Sequence, residues 1–252
     1  SATAHPFLSA AAAGTLPKPR LSAWLAQDRL YIHAYIRFIG ALLAKLHLPL
    51  PLALPQANSP QNTNTNTNAP ETLESQTLHT LTGALTNIVR ELDFFLAVAD
   101  EYALDLQAPY RKPEAGEAEA PAGNVTASPI TTAYTDLFVS AGSAGTSLLE
   151  GLVVLWATEV CYLTVWRNVR EAMGQHNGED ADGGALREKL IPNWTCAEFE
   201  EFVAGITRLV DAVAEREVES SASPTARAEV VERCARWWRQ VVWLEGQFWP
   251  EI

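Results

Sequence analysis

The chain is poor in the features that mark covalent, metal or nucleic-acid sites. Its three cysteines, Cys161, Cys196 and Cys234, are too few and too far apart for a disulfide framework or a CxxC metal knuckle, which suits a reducing compartment. Basic residues are scarce, 18 Lys and Arg against 30 Asp and Glu, for a formal charge of -12. Nucleic acid and anionic membrane would both be repelled by such a surface, so neither is expected as a partner. Sustained alternation of apolar and polar residues is missing, which argues against a half-buried sheet. The glycines of SAGSAGTS fit neither the Walker spacing nor GxGxxG, so that stretch reads as a break between helices. The longest apolar run, LLEGLVVLWATEVCYLTVW, is interrupted by Glu150 and Glu159 and does not resemble a membrane span. The opening SATAHPFLSAAAAG has no basic region ahead of a long apolar run, so it does not read as a signal peptide and a cytoplasmic location is expected.

What the chain does have is apolar spacing of helical period. Hydrophobic residues make up 48% of its 252 residues, and eight are tryptophan. The spacing predicts helices near 19–47, 72–104, 129–141, 146–173, 196–217 and 224–248, with a short one in the first dozen residues. The Pro-, Asn- and Gly-rich stretches between them read as surface loops. The expected fold is all-α, a single helical domain over 1–252 with low-complexity loop insertions at about 49–70 and 107–128. Helices of roughly thirty residues are found mostly in bundles, where ligand sites lie between facing helices.

Three acids stand out against this pattern. On a helix, the residues three, four and seven positions from Asp28 are Leu21, Trp24, Leu25, Tyr31, Ile32 and Tyr35, none of them charged. Glu159 has Leu152, Leu155, Trp156, Tyr162, Leu163 and Trp166 in the same relation. Glu245 has Trp238, Val241, Val242, Phe248 and Trp249, and Glu91, beside Ile88, Phe94 and Phe95, is a weaker fourth. Burying an ionised carboxylate on such a face costs several kcal/mol unless something binds it. Any one of these acids is equally well explained by a tyrosine hydroxyl, an arginine or an ordered water. Three together favour an acidic cavity with aromatic walls.

That cavity would suit a flat, weakly basic ring with several N–H groups. Aromatic walls give stacking area, and a carboxylate accepts hydrogen bonds from an amino group and a protonated ring nitrogen. Burial and mutual repulsion raise the pKa of the remaining acids toward neutrality, where they can exchange protons.

The motifs HPFL, GTLP, WLAQDRLYIHAYIRF, ELDFF, TAYTDLF, LWATEVCY, NWTCAEF and WLEGQFW follow one another in an order that resembles the TenA family of the haem-oxygenase-like superfamily. These are aminopyrimidine aminohydrolases, or thiaminase II enzymes, of thiamin salvage. The resemblance implies a haem-oxygenase-like multi-helix bundle with a central pocket, Asp28 and Tyr31 as ring-binding residues, Tyr134 as a pocket tyrosine and Glu245 as the C-terminal acid. It also implies a homo-oligomer, dimer or tetramer. One subclass has a nucleophilic cysteine in an LPC motif, where this chain reads LWA at 155–157. The pattern WATEVCY is similar to the second subclass, which lacks that cysteine and carries a glutamate, here Glu159. Cys161 lies about 200° around the helix from Glu159 and reads as a packing residue.

These readings predict a hydrolase acting on a small pyrimidine and releasing ammonia from an aminomethyl group or formate from its N-formyl derivative. Glu159 and Glu245 are the expected catalytic pair. Asp28, Tyr31, Tyr134, Tyr162 and Trp24 are the expected substrate contacts, and Tyr162 either orients Glu159 or simply packs as a buried tyrosine. No cofactor and no metal is expected: bundle di-iron sites use Glu-x-x-His pairs, which are absent, and His33 shares its face with Arg29 and Arg37 rather than with a haem pocket. The alternative is a pocket that binds or transforms another small aromatic metabolite without hydrolysing a pyrimidine.

Overall fold

The structure, a computed structural model, describes residues 4–48, 72–109, 125–174 and 178–251. The loop insertion expected at 49–70, and most of that at 107–128, lie outside the described residues. Among those described, every regular element is helical: α1 (Pro6–Ala13), α2 (Lys18–Ala44), α3 (Leu73–Tyr102), α4 (Pro129–Gly142), α5 (Leu148–Ala172), a π-helical turn (Leu186–Leu190) running into α6 (Ile191–Trp194), α7 (Ala197–Ser220) and α8 (Ala226–Gln247).

Local chemistry sets the ends. His5 caps α1 by accepting the Phe7 N–H at 3.2 Å, and Pro6 fills the first turn. The helix stops at Gly14, whose φ of 70° is left-handed and whose N–H returns to the last carbonyls. HPFL and GTLP are therefore a start and a stop, and Phe7 and Leu16 between them are buried. Ser147 and Glu150 form a reciprocal capping box at the head of α5, so SAGSAGTS is the break between α4 and α5. Lys45, just past α2, donates its ammonium to the carbonyls of Ser143 and Thr146 and holds that break closed.

The turn at 186–194 has no counterpart among the expected helices. Asp182 accepts the N–H groups of Gly184 and Leu186 at 2.9 Å and starts it. The Ile191 N–H then reaches the Leu186 carbonyl five residues back, and the next residue, Pro192, has no N–H to give. Its signal was a side-chain cap inside a glycine-rich run that reads as loop.

α5 is the axis, packed against α1, α4, α6, α7 and α8, while α2 lies against α3 and α4. By length and composition α5 is apolar enough to cross a membrane, despite Glu150 and Glu159, but 61% of its most apolar window is buried inside the fold. Two apolar cores flank it. One gathers Phe7, Trp24, Trp166, Trp194 and Trp249; the other gathers Phe38, Phe138, Leu152, Ile206 and Val241. Tyr31, Ile88 and Phe248 touch both, and a cavity opens beside Tyr31 and Ile88, where the cores meet.

Candidate active site

The cavity holds about 270 Å³. Its wall is built by α2 (Asp28, Tyr31, Tyr35), α3 (Asn87, Glu91, Phe94), α5 (Thr158, Glu159, Tyr162) and the start of α7 with the residues before it (Asn193, Trp194, Phe199). On α2 the wall residues fall at spacings of three and four, one stripe of the helix.

The acids on this wall differ in their company. The Tyr35 hydroxyl donates to Glu159 Oε1 at 2.6 Å. Glu91 accepts from two donors, Asn193 Nδ2 at 2.8 Å and Trp194 Nε1 at 2.5 Å. Asp28 is only 5% exposed and, among the described residues, its carboxylate has no hydrogen-bond donor and no basic partner. Burial raises its pKa well above the ordinary value, and the charges of Glu91 and Glu245 raise it further. Burial also pushes Glu159 up to about 7, against the Tyr35 hydrogen bond that favours its charged form, with Glu91 adding repulsion.

Glu245 is not on the wall. The Tyr134 hydroxyl donates to its Oε1, and that pair sits behind Tyr31, whose ring meets Tyr134 edge-on with centroids 5.1 Å apart. Burial brings Glu245 to about 7 as well; the Tyr134 hydrogen bond opposes this and the charge of Glu159 adds to it. Gln27, next to Asp28, fixes this rear layer. Its amide oxygen accepts from the Ser128 N–H and the Thr131 hydroxyl, both at 2.8 Å, and so moors α4 one turn before Tyr134.

The structure thus brings Asp28, Tyr31, Glu159 and Tyr162 to one cavity and sets Tyr134 and Glu245 in a layer behind it. One expectation is corrected, and one of two alternatives is favoured. Trp24 lies off the wall, in the aromatic core, with rings of Phe7, Trp166, Trp194 and Trp249 at 5.6–5.7 Å. Its stripe is shared with Asp28, but one turn along α2 the neighbours change from cavity to packed indoles. Tyr162 does not orient Glu159, which is held by Tyr35; Tyr162 packs edge-on against Trp194 at 5.4 Å. Tyr35 was visible as a neighbour of Asp28 but carried no signal of pairing with α5. Asn193 and Trp194 stood in the NWTCAEF motif without an assigned role, and their partner is the weakest of the four acids, Glu91.

Ala157 is fully buried, and burial pushes the Cys161 thiol up to about 12, with Glu245 adding to the effect, which disfavours its thiolate. Among the described residues, no three His, Cys, Asp or Glu side chains come together as a metal site.

Residues 1–48 match the TENA/THI-4/PQQC family. A curated relative from Fusarium pseudograminearum, described as a probable transcription factor, is 27% identical across 100% of this chain and 49% of its own length, so the chain spans about half of that protein. A TenA homologue from Pyrococcus furiosus superposes with a TM-score of 0.66 at 23% identity, over 97% of this chain and 89% of the other. A TenA family transcription regulator from a Silicibacter species gives 0.66 at 16% identity, over 97% and 86%. A TenA homologue from P. horikoshii gives 0.66 at 16% identity, over 98% and 89%. These likenesses speak for the fold.

Proposed function

We propose that this chain, with the TENA/THI-4/PQQC signature in its first 48 residues and the fold of solved TenA homologues, hydrolyses a thiamin-derived aminopyrimidine with carboxylates and without a cysteine nucleophile. The observation that carries this reading is Asp28: a buried acid facing a cavity with no donor of its own among the described residues. An unpaired buried carboxylate is costly, and the amino edge and ring nitrogen of an aminopyrimidine would relieve it. Tyr31, Tyr162 and Phe94 would bound the ring.

Glu159 lies on the wall and titrates near neutrality, so it is the acid placed to exchange protons with water and the scissile nitrogen. Water adds its oxygen to the carbon bearing that nitrogen and the carbon–nitrogen bond breaks. The proton lost by water ends on the departing nitrogen, giving ammonia from an aminomethyl group or, from an N-formyl derivative, formate and the free amine. Glu245, behind Tyr31, adds a second buried acid to the site, and the charge of Glu159 raises its pKa further. Both acids lie near 7, so kcat should be greatest near neutral pH.

The test is incubation with a panel of aminopyrimidines, with released ammonia and formate assayed separately. Glu159→Gln should lower kcat by about 10²–10⁴-fold and leave ring binding intact, whereas Asp28→Asn should raise KM. Unchanged turnover in both variants would remove the proposal. A second reading is a pocket that binds without hydrolysing, favoured by the two relatives described as a transcription factor and a transcription regulator. The charge of -12 speaks against this chain itself gripping DNA. Tight retention of a pyrimidine with neither product released would select that reading.

A further inference from the structure

Glu91 is held in an unusual way. Both of its oxygens are occupied, yet both donors, the Asn193 amide and the Trp194 indole, are neutral. They fix the position of the carboxylate and favour its charged form against the burial that raises its pKa, but they supply no positive charge. The hold is rigid because the Trp194 ring packs at 4.5 Å against Trp166 and at 5.7 Å against Trp24 in the aromatic core. Glu91 and Asp28 face the same cavity from α3 and α2, and the charge of Glu91 disfavours ionisation of Asp28. Arg90, at the rim, is engaged by Glu198 at 2.9 Å and does not answer either acid. Two acids that repel across a cavity are reconciled by a positive ligand between them.

We propose that Glu91 is a specificity-determining residue: together with Asp28 it selects a flat monocation, of the protonated aminoheterocycle type, over a neutral ring of the same shape. This rests on the ring-binding role given to Asp28 above and adds a second acid, from another helix, that reads charge rather than shape.

The test is calorimetric titration of the full chain at neutral pH with 4-amino-2-methylpyrimidine and with 3-methylaniline, its analogue without ring nitrogens. The unaltered chain should bind the pyrimidine at least about tenfold more tightly. Glu91→Gln should reduce that ratio to less than about threefold by weakening the pyrimidine alone, and Glu91→Asp, which keeps the charge, should retain most of it. Equal loss for both rings would make Glu91 a structural residue and overturn the proposal. An unchanged ratio in Glu91→Gln, or no binding of either ring by the unaltered chain, would overturn it too. Charge selectivity without release of ammonia or formate would defeat the hydrolytic reading and leave this one standing.

Discussion

Trp24 and Asp28 are one turn apart on α2, and Trp166 and Glu159 are two turns apart on α5, yet the two ends of these stripes live in different worlds. Around Trp24 the space is filled by rings 4.5–5.8 Å apart, and among the described residues the N–H groups of Trp24 and Trp249 have no acceptor. Around Asp28 there is a cavity of about 270 Å³ and an acceptor with no donor among the described residues. One region leaves donors unmatched and is closed by packing; the other leaves an acceptor unmatched and stays open. An aromatic stripe therefore does not distinguish core from site. The lone acid does, because ring packing compensates a missing indole hydrogen bond far more readily than it compensates a buried charge. Trp194 belongs to both, its ring in the core and its N–H on Glu91.

This contrast can be broken by mutation. Trp166→Ala should have the largest effect, lowering unfolding free energy by about 3–5 kcal/mol in urea titrations, because it empties the centre of the packed region. A loss below about 1 kcal/mol would mean that the indoles are not the stabilising core. The second test is pH. Glu245 moves from 4.5 in the unfolded chain to about 7 when folded, so between these values the folded chain keeps a proton that the unfolded chain has released. Stability must then fall as pH rises through that window, by roughly 1–3 kcal/mol, and Glu245→Gln should remove this part of the slope. A difference curve between the two proteins that is flat, or rises with pH, would contradict the assignment. The smallest effect is expected at the open end, where Asp28→Asn should be neutral or stabilising by about 1 kcal/mol at pH 8, since it removes an acid whose ionisation burial opposes. A clear loss of stability there would reveal a structural partner.

Much of this was readable in the sequence, for a definite reason. Apolar period is local, so the long helices could be placed from spacing, and SAGSAGTS marked the break ahead of α5. The acids Asp28 and Glu159 were legible because a charge on an apolar stripe is an anomaly whatever the fold. What lay hidden is tertiary. That Tyr35 rather than Tyr162 holds Glu159, that Trp24 faces packed rings, and that Glu245 stands behind Tyr31 all depend on how α2, α5 and α8 are rotated against one another. The turn at Leu186–Leu190 escaped because its start is a carboxylate cap from Asp182 within a run of glycines.

The amide of Gln27 has a reach beyond its own neighbourhood. By accepting from Ser128 and Thr131, and by donating to the Thr126 carbonyl at 3.1 Å, it re-anchors the backbone at the very point where α4 begins. Whatever length of chain precedes Thr126, additions or deletions there are absorbed before they reach Tyr134.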